Sequence, residues 1–307
     1  MTRAISARLA GCSALAILIA TFSLVGAASP PARDSVQPRE RVAYVSVVEA
    51  KTLAPVSEVQ PEVIAIHEDG ARREVLRVTP ASSPMPVALV VDNSQAAAAT
   101  IPDLRKALTT FLSTIDGIGP IAIFTVADRP TILQEYTTSQ KELLDAAGRL
   151  FHAPSSGATL LDTISDVARG LAKRDADRAA IVVVTGENVE FSNLQYRDVL
   201  ERLRDSGAMM YTVVLANPAG STATDEARNR ATVLDRGPRE SGGLRIDVLT
   251  SMSFESRLKL FGEMLKTQQR VTYARPESLI PPEKVQISAA KPGIEAYGAP
   301  ARGQGSK

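Results

Sequence analysis

Side chains able to do covalent or proton-transfer chemistry are few in this sequence. It has two histidines, His67 and His152, and one cysteine, Cys12. Two histidines far apart in the chain cannot supply the nitrogen and sulfur ligands of a usual zinc site. The sequence contains no G-x-S-x-G nucleophile turn and no GxxxxGK[ST] phosphate loop, and the GIG at 117–119 precedes a predicted strand instead of following one. We therefore expect a protein that is not an enzyme.

The more informative polar residues adjoin apolar runs. Asp92 ends the run VALVVD, and Asn93 and Ser94 follow it. The segment 155–159 precedes an amphipathic helix predicted at 159–173, and TGEN at 185–188 ends the run AAIVVVT. These three segments carry the candidate site.

The elements around these segments alternate between apolar strands and amphipathic helices from Pro86 onwards. Such alternation predicts an α/β fold with a doubly wound, mostly parallel sheet. The runs at 121–127 and 131–136 flank a short turn and predict an antiparallel hairpin within that sheet. Residues 216–242 are polar and predict a loop with room for a short helix. Ligands of doubly wound sheets bind at the carboxyl ends of the strands, which is where the three segments lie.

The segments VALVVDNSQA, SSGATLLDTI and AAIVVVTGEN resemble the three metal-site segments of the von Willebrand A family. That family has DxSxS after the first strand, a Thr at the start of a later helix and an Asp after a central strand. The resemblance covers about residues 85–275. The C-terminal QQRVTYARP and PPEKVQISAAKPG, together with a β unit at 42–81, are similar to the VWFA-related type found in exported bacterial proteins. The resemblance to the von Willebrand A family implies a Rossmann-like fold and a protein-binding function.

The resemblance also implies a metal-ion-dependent adhesion site, in which hydroxyl and carboxylate oxygens hold Mg²⁺ or Mn²⁺. Asp92, Ser94 and Thr159 match the family pattern. Ala96 stands where the second Ser belongs, and Gly186 stands where the Asp of the third segment belongs. Because Ala supplies no oxygen and the loss of the Asp halves the carboxylate charge, we expect a degenerate site.

Each matching residue also has a structural explanation of its own. Asp92 could cap the segment after it, Ser94 could make a hydrogen bond within a turn, and Thr159 could be a helix N-cap. The placement of all three at strand ends is what favours the family resemblance.

A protein-binding rim is expected around this site, formed by Asn93, Ser155, Glu187 and Asn188. The partner would be a protein that the sequence does not identify. The alternative is a metal-independent scaffold or assembly component of an envelope complex, which makes its contacts through helical faces or through the β unit at 42–81.

The N-terminus has the layout of a secretory signal peptide at 1–28. Arg3 and Arg8 precede an apolar stretch at 12–28, which ends in small residues. The stretch falls short of the roughly 20 residues of a membrane-spanning helix. We expect an exported protein, periplasmic or secreted, that has no stable membrane anchor once the signal peptide is cleaved. The mature chain would contain no cysteine, which excludes disulfides and thiolate chemistry.

Smaller segments flank the α/β domain expected at 85–276. Residues 29–41 are Pro-rich and charged and predict a linker. Three β-type runs at 42–81 predict a small N-terminal β unit, with a hairpin at Glu68-Asp69-Gly70. Because three strands are too few to be stable alone, we expect this unit to pack on another element. Residues 277–307 are expected to form a C-terminal strand and a flexible tail.

Composition limits the partners and the core. The net charge of +1 comes from interspersed acidic and basic residues, so the sequence offers no basic surface for nucleic acid. Aromatic residues make up 4% of the chain and Trp is absent. The core must therefore be built from aliphatic side chains.

Overall fold

Five stretches of the chain are described by the computed structural model: residues 39–56, 58–186, 189–216, 224–276 and 282–303. The predicted signal peptide at 1–28 lies outside them, and so do Glu187 and Asn188 of the predicted rim. Among the helices that the structure describes, none is long and apolar enough to cross a membrane.

A six-stranded sheet lies at the centre of the fold. Its strands, in chain order, are β5 (Val87–Val91), β6 (Ile121–Thr125), β7 (Thr131–Thr137), β8 (Ala179–Gly186), β9 (Ala208–Leu215) and β10 (Arg245–Val248). Their order across the sheet is β10-β9-β8-β5-β6-β7, and every neighbouring pair is parallel except β6 and β7. The predicted doubly wound, mostly parallel sheet and its antiparallel hairpin are therefore confirmed.

Six helices cover the two faces of this sheet. They are α1 (Ile101–Thr114), α2 (Gln140–Gly148), α3 (Leu160–Ala172), α4 (Tyr196–Ser206), α5 (Asp225–Ser241) and α6 (Phe254–Lys266). Alternate residues of a strand point to opposite faces. Leu89 of β5 accordingly packs with α1, α2 and α6, whereas its neighbour Val90 packs with α3, α4 and α5. Both cores are almost entirely aliphatic, as the scarcity of aromatic residues requires.

Residues 216–242 were predicted to be a loop with room for a short helix, but the described part contains a long one, α5, over Asp225–Ser241. Thr224 caps it by accepting a hydrogen bond from the backbone N–H of Ala227 at 3.1 Å. Its buried face carries polar residues as well as apolar ones, and Pro238 lies inside the helix. An apolar period of 3.6 residues is therefore weak in this segment, and Pro favours reading it as a loop.

The smaller β region consists of two antiparallel sheets. It contains β1 (Arg39–Glu49), β2 (Ile64–Glu68), β3 (Ala71–Arg73), β4 (Val75–Pro80), β11 (Gln269–Arg275), β12 (Val285–Ala289) and β13 (Ile294–Pro300). One sheet has the order β13-β1-β11-β4 and the other β12-β2-β3. The predicted hairpin is present, since Glu68 of β2 pairs with Ala71 of β3.

Three predicted boundaries change in this region. The linker expected at 29–41 ends earlier, because β1 begins at Arg39. Residues 277–307 contain two strands, β12 and β13, where one strand and a tail were expected. The β unit is not built from 42–81 alone, because β1 lies between β11 and β13. Sequence periodicity identifies strands but not partners so distant along the chain.

Close backbone approach joins α5 to the smaller β region. Gly242 caps the C-terminus of α5 with φ of +79°. A Cβ atom at this position would lie 1.9 Å from the backbone oxygen of Gly298 in β13. Gly242 is therefore needed both for its left-handed conformation and for the contact between these elements.

Replacement of Gly242 by Ala should destabilise the protein more than the same change at Gly293. Gly293 has φ of +80° but would have no atom within 4 Å of an added Cβ. We expect Gly293→Ala to lower the free energy of unfolding by about 1 kcal/mol, the cost of a left-handed non-glycine residue. Gly242→Ala should cost at least about 2 kcal/mol more, because the methyl group overlaps backbone. Urea denaturation measures both, and equal effects would contradict the close approach.

Candidate functional site

Asp92 and Thr185 meet where two neighbouring parallel strands end. β5 pairs with β8 in a register that places Val91 beside Val184, so the residues that follow are adjacent. The Asp92 carboxylate accepts a hydrogen bond from the Thr185 hydroxyl at 2.7 Å and one from the backbone N–H of Ser94 at 3.0 Å. Asp92 is 1% exposed. It therefore caps the turn after β5, as its structural explanation predicts.

Ser94 and Thr159, the predicted hydroxyl ligands, are also buried at this edge. Thr159 precedes α3, but its hydroxyl makes no capping bond to that helix and donates instead to the carbonyl of Val126 at 2.9 Å. The Ser94 hydroxyl has no hydrogen-bond partner among the described residues. The turn and N-cap side-chain bonds considered for these two hydroxyls are thus absent from the described residues.

Two residues of the loop after β8, Glu190 and Ser192, cap α3 in place of Thr159. The Glu190 carboxylate accepts from the backbone N–H of Leu161 at 3.5 Å, and the Ser192 hydroxyl accepts from that of Asp162 at 3.1 Å. Glu190 also accepts from the backbone N–H of Ser192 at 3.2 Å. The loop after β8 is therefore fastened to the N-terminus of α3.

The two described residues of the predicted rim lie at the same edge. The Asn93 side chain donates to the carbonyl of Phe151 at 3.2 Å and accepts from the backbone N–H of Ala127 at 3.1 Å. It ties the turn after β5 to two neighbouring loops. Ser155 is exposed, has φ of +57°, and donates its backbone N–H to the side chain of Gln95 at 3.1 Å.

The guanidinium of Arg230, from α5, lies in the middle of this edge and is almost fully buried at 3% exposure. It donates hydrogen bonds to the Thr185 hydroxyl and to the carbonyl of Gly186. Its Nη2 lies 3.9 Å from Oδ2 of Asp92, and its Nε lies 3.7 Å from Oε2 of Glu190. One cation therefore faces both buried carboxylates.

Electrostatics couple Glu190 to this arginine. Burial raises the pKa of the Glu190 carboxyl, because the charged form loses its hydration, while the positive charge of Arg230 acts in the opposite direction. The hydrogen bonds from Ser192 and Leu161 also favour the ionised form. The pKa nevertheless stays above its ordinary value, so burial has the larger effect.

The described residues at this edge do not supply the oxygen ligand set that the resemblance implies for a divalent metal ion. Mg²⁺ requires about six oxygen ligands, but Ala96 and Gly186 offer no side-chain oxygen. Within the described residues, no three His, Cys, Asp or Glu side chains are grouped to hold a metal. An ion on Asp92 would also stand near the Arg230 charge. Repulsion between charges of +1 and +2 is about 8 kcal/mol at roughly 4 Å and an effective dielectric constant of about 20.

A small cavity adjoins Asp92. It has a volume of about 30 Å³ and is bounded in part by Ala96, Thr185 and Gly186. A space of this size holds about one water molecule. It is too small for an organic ligand or a cofactor.

These features match the fold that the resemblance implied. The sheet is mostly parallel with one antiparallel hairpin strand, helices cover both faces, and the three segments lie at one edge. The chain has a von Willebrand A-like fold.

Comparisons with known proteins found only matches of low identity and low TM-score. No family model matches the chain, and no curated protein matches it in sequence. A solved von Willebrand factor type A structure from Catenulispora acidiphila is 11% identical, with a TM-score of 0.47 over 88% of this chain and 74% of its own. BatB from Bacteroides thetaiotaomicron is 12% identical, with a TM-score of 0.44 over 59% and 99%. The SpRpn10 VWA domain is 11% identical, with a TM-score of 0.43 over 57% and 95%.

Sequence reasoning missed two central residues of this von Willebrand A-like edge, Arg230 and Glu190. Arg230 lies in a segment predicted to be mainly loop, so no helix periodicity indicated that its side chain is buried. Glu190 lies three residues beyond Glu187, a residue of the predicted rim. A signal for Arg230 does exist in the spacing of Arg230, Val233 and Leu234 after the Thr224 cap, but only if a charged residue is allowed on the buried face.

The Thr185 hydroxyl joins Asp92 to Arg230, so its removal should be costly. Thr185→Val leaves a buried carboxylate and a guanidinium each without one hydrogen bond, and we expect a loss of about 2 kcal/mol in the free energy of unfolding. Thr212→Val in the neighbouring strand is the matched control. The Thr212 hydroxyl is equally buried and has no hydrogen-bond partner among the described residues, so this change should be neutral or stabilising. Equal losses in urea denaturation would contradict the bridging role.

Proposed function

We propose that this chain is an exported, von Willebrand A-like protein-binding module that recognises a protein ligand at the carboxyl edge of its sheet without a metal ion. We further propose that it is not an enzyme. The observation that carries the binding proposal is the distribution of exposed apolar side chains around this edge.

Seven large apolar side chains are exposed among the described residues, and five of them lie in loops at the carboxyl edge: Phe151, Val189, Phe191, Leu249 and Met252. Their exposed fractions range from 59% for Phe191 to 84% for Leu249. Exposed apolar side chains of this size cost free energy in water and are typical of protein interaction surfaces. We call these five residues the apolar rim.

Hydrogen bonds hold the backbone of the loops that carry Phe151 and Phe191. Phe151 belongs to the loop that Asn93 holds through its carbonyl, and Phe191 lies between the two residues, Glu190 and Ser192, that cap α3. Hydrogen bonds thus hold the backbone at two of the five rim residues, Phe151 and Phe191. Preorganised apolar groups bind with a smaller loss of conformational entropy than mobile ones.

The placement of the histidines supports the non-enzymatic part of the proposal. His67 lies in β2 of the smaller β region, whereas His152 is exposed in the loop before α3. Neither is among the residues in contact around Asp92. Asp92 itself is enclosed by Thr185, Ser94 and Arg230, so a substrate would have no direct access to its carboxylate.

Partner capture tests the binding surface. The double variant Phe191→Ser, Met252→Ser removes two rim side chains, and Leu76→Ser, Ile132→Ser removes the two exposed apolar side chains outside it. After crosslinking in cells, we expect the protein captured by the wild type to be retained by the control and reduced at least about tenfold by the rim variant, as for hot-spot residues. Purified partner would then be titrated with and without EDTA, with equal affinities expected.

Two outcomes would overturn this proposal. Loss of the partner in EDTA would show that binding depends on a metal ion. Loss in the Leu76→Ser, Ile132→Ser variant with retention in the rim variant would favour the alternative, a scaffold that makes its contacts through the smaller β region or the helical faces.

The export proposal rests on the layout of residues 1–28 and has a separate test. We expect the protein recovered from the periplasm or the medium to begin after the small residues that end the apolar stretch, near residue 29. N-terminal sequencing measures this directly. A mature protein that begins at Met1 would contradict cleavage.

A further inference from the structure

The buried edge of the sheet holds more negative charge than hydrogen bonds alone ordinarily stabilise. Asp92 and Glu190 are 1% and 4% exposed, and both approach the same guanidinium within 4 Å. A buried carboxylate without a cation is strongly destabilising. Some positive charge must therefore be present whenever this edge is folded.

Arg230 supplies that charge in a form that reaches both the turn after β5 and the residues at and after the end of β8. Its guanidinium is a planar, permanently charged group with five N–H donors. It reaches the end of β8 through hydrogen bonds to Thr185 and Gly186, and it faces the turn after β5 through Asp92. It faces the loop that caps α3 through Glu190. No single hydrogen bond between these loops could replace it.

The helix that carries Arg230 keeps the charge in place. Val233 and Leu234, one turn later in α5, are buried in the core beneath the sheet. Asn229, next to Arg230, accepts a hydrogen bond from the backbone N–H of Tyr196 at 3.3 Å, which joins α5 to α4. These contacts hold the backbone of Arg230 against the edge.

We propose that Arg230 is a built-in cation that takes the place of the divalent ion and permanently joins the segments of Asp92, Gly186 and Glu190. A bound ion can exchange with solvent, whereas this charge is part of the chain. The proposal deepens the proposed function, because it explains why the rim would need no metal. The test of the Arg230 proposal requires no partner. The Arg230 proposal can therefore fail while the proposed partner binding holds, and partner binding can fail while the Arg230 proposal holds.

Metal binding by variants of Arg230 tests the substitution. Mn²⁺ is the probe, and its binding to the full chain is followed by calorimetry and by its electron paramagnetic resonance signal. Arg230→Met removes the charge and leaves the carboxylates, so we expect it to show saturable Mn²⁺ binding, which the wild type lacks. Arg230→Lys keeps a positive charge and should show no saturable Mn²⁺ binding. Arg239→Met is the matched control, since Arg239 forms an exposed ion pair with Asp235 on the same helix.

The gain in Mn²⁺ binding must also depend on Asp92. Adding Asp92→Asn to Arg230→Met should abolish it. Saturable Mn²⁺ binding by the wild type, or by Arg230→Met independently of Asp92, would overturn the proposal. No gain in a folded Arg230→Met protein would also overturn it.

A second variant covers the case in which Arg230→Met does not fold. Glu190→Gln removes one of the two buried negative charges. If Arg230 balances these charges, Glu190→Gln should restore folding to the Arg230→Met protein, as measured by circular dichroism, while giving no such gain in the wild type. Failure of Glu190→Gln to improve folding of Arg230→Met would overturn the charge-balancing role.

Discussion

Two negative charges buried at the end of a parallel sheet constrain the rest of this structure. Parallel strands bring all their carboxyl ends to one edge, and here that edge holds Asp92 after β5 and Glu190 after β8. Both charges must be satisfied inside the protein, because neither side chain reaches solvent. Backbone N–H groups, one threonine hydroxyl and the guanidinium of Arg230 do so. These contacts connect α5, the turn after β5 and the N-terminus of α3 at one edge.

Most of the central fold could be predicted from the sequence because its signals are local. The runs at 87–91 and 179–184 are continuously apolar, as strands covered on both faces must be. Pro102 in the first turn and the aliphatic stripe from Leu104 to Leu112 predict α1 in the same way. The smaller β region could be predicted only in part. Its strands show ordinary β patterns, but the pairing of β1 with β11 and β13 joins residues more than two hundred positions apart.

The candidate site was less predictable than the fold. The resemblance led to the carboxyl edge of the sheet, where Asp92 and Ser94 lie, because strand ends are set by topology. It did not lead to Arg230 or Glu190. The family pattern describes ligands of an ion, whereas Arg230 faces Asp92 and Glu190 from a helix of the same chain. A motif does not reveal this arrangement, because Arg230 lies about 140 residues beyond Asp92 in a segment whose Gly237 and Pro238 suggest a loop.

The pairing of β1 has a consequence for the order in which the chain can fold. Both neighbours of β1, β11 and β13, lie beyond residue 268, so this strand has no partner in its sheet among the described residues until that part of the chain has been synthesised. Contacts this distant in sequence form slowly, since a long loop must close before they stabilise anything. β1 would therefore join its sheet late in folding, after strands whose partners lie nearer in the sequence.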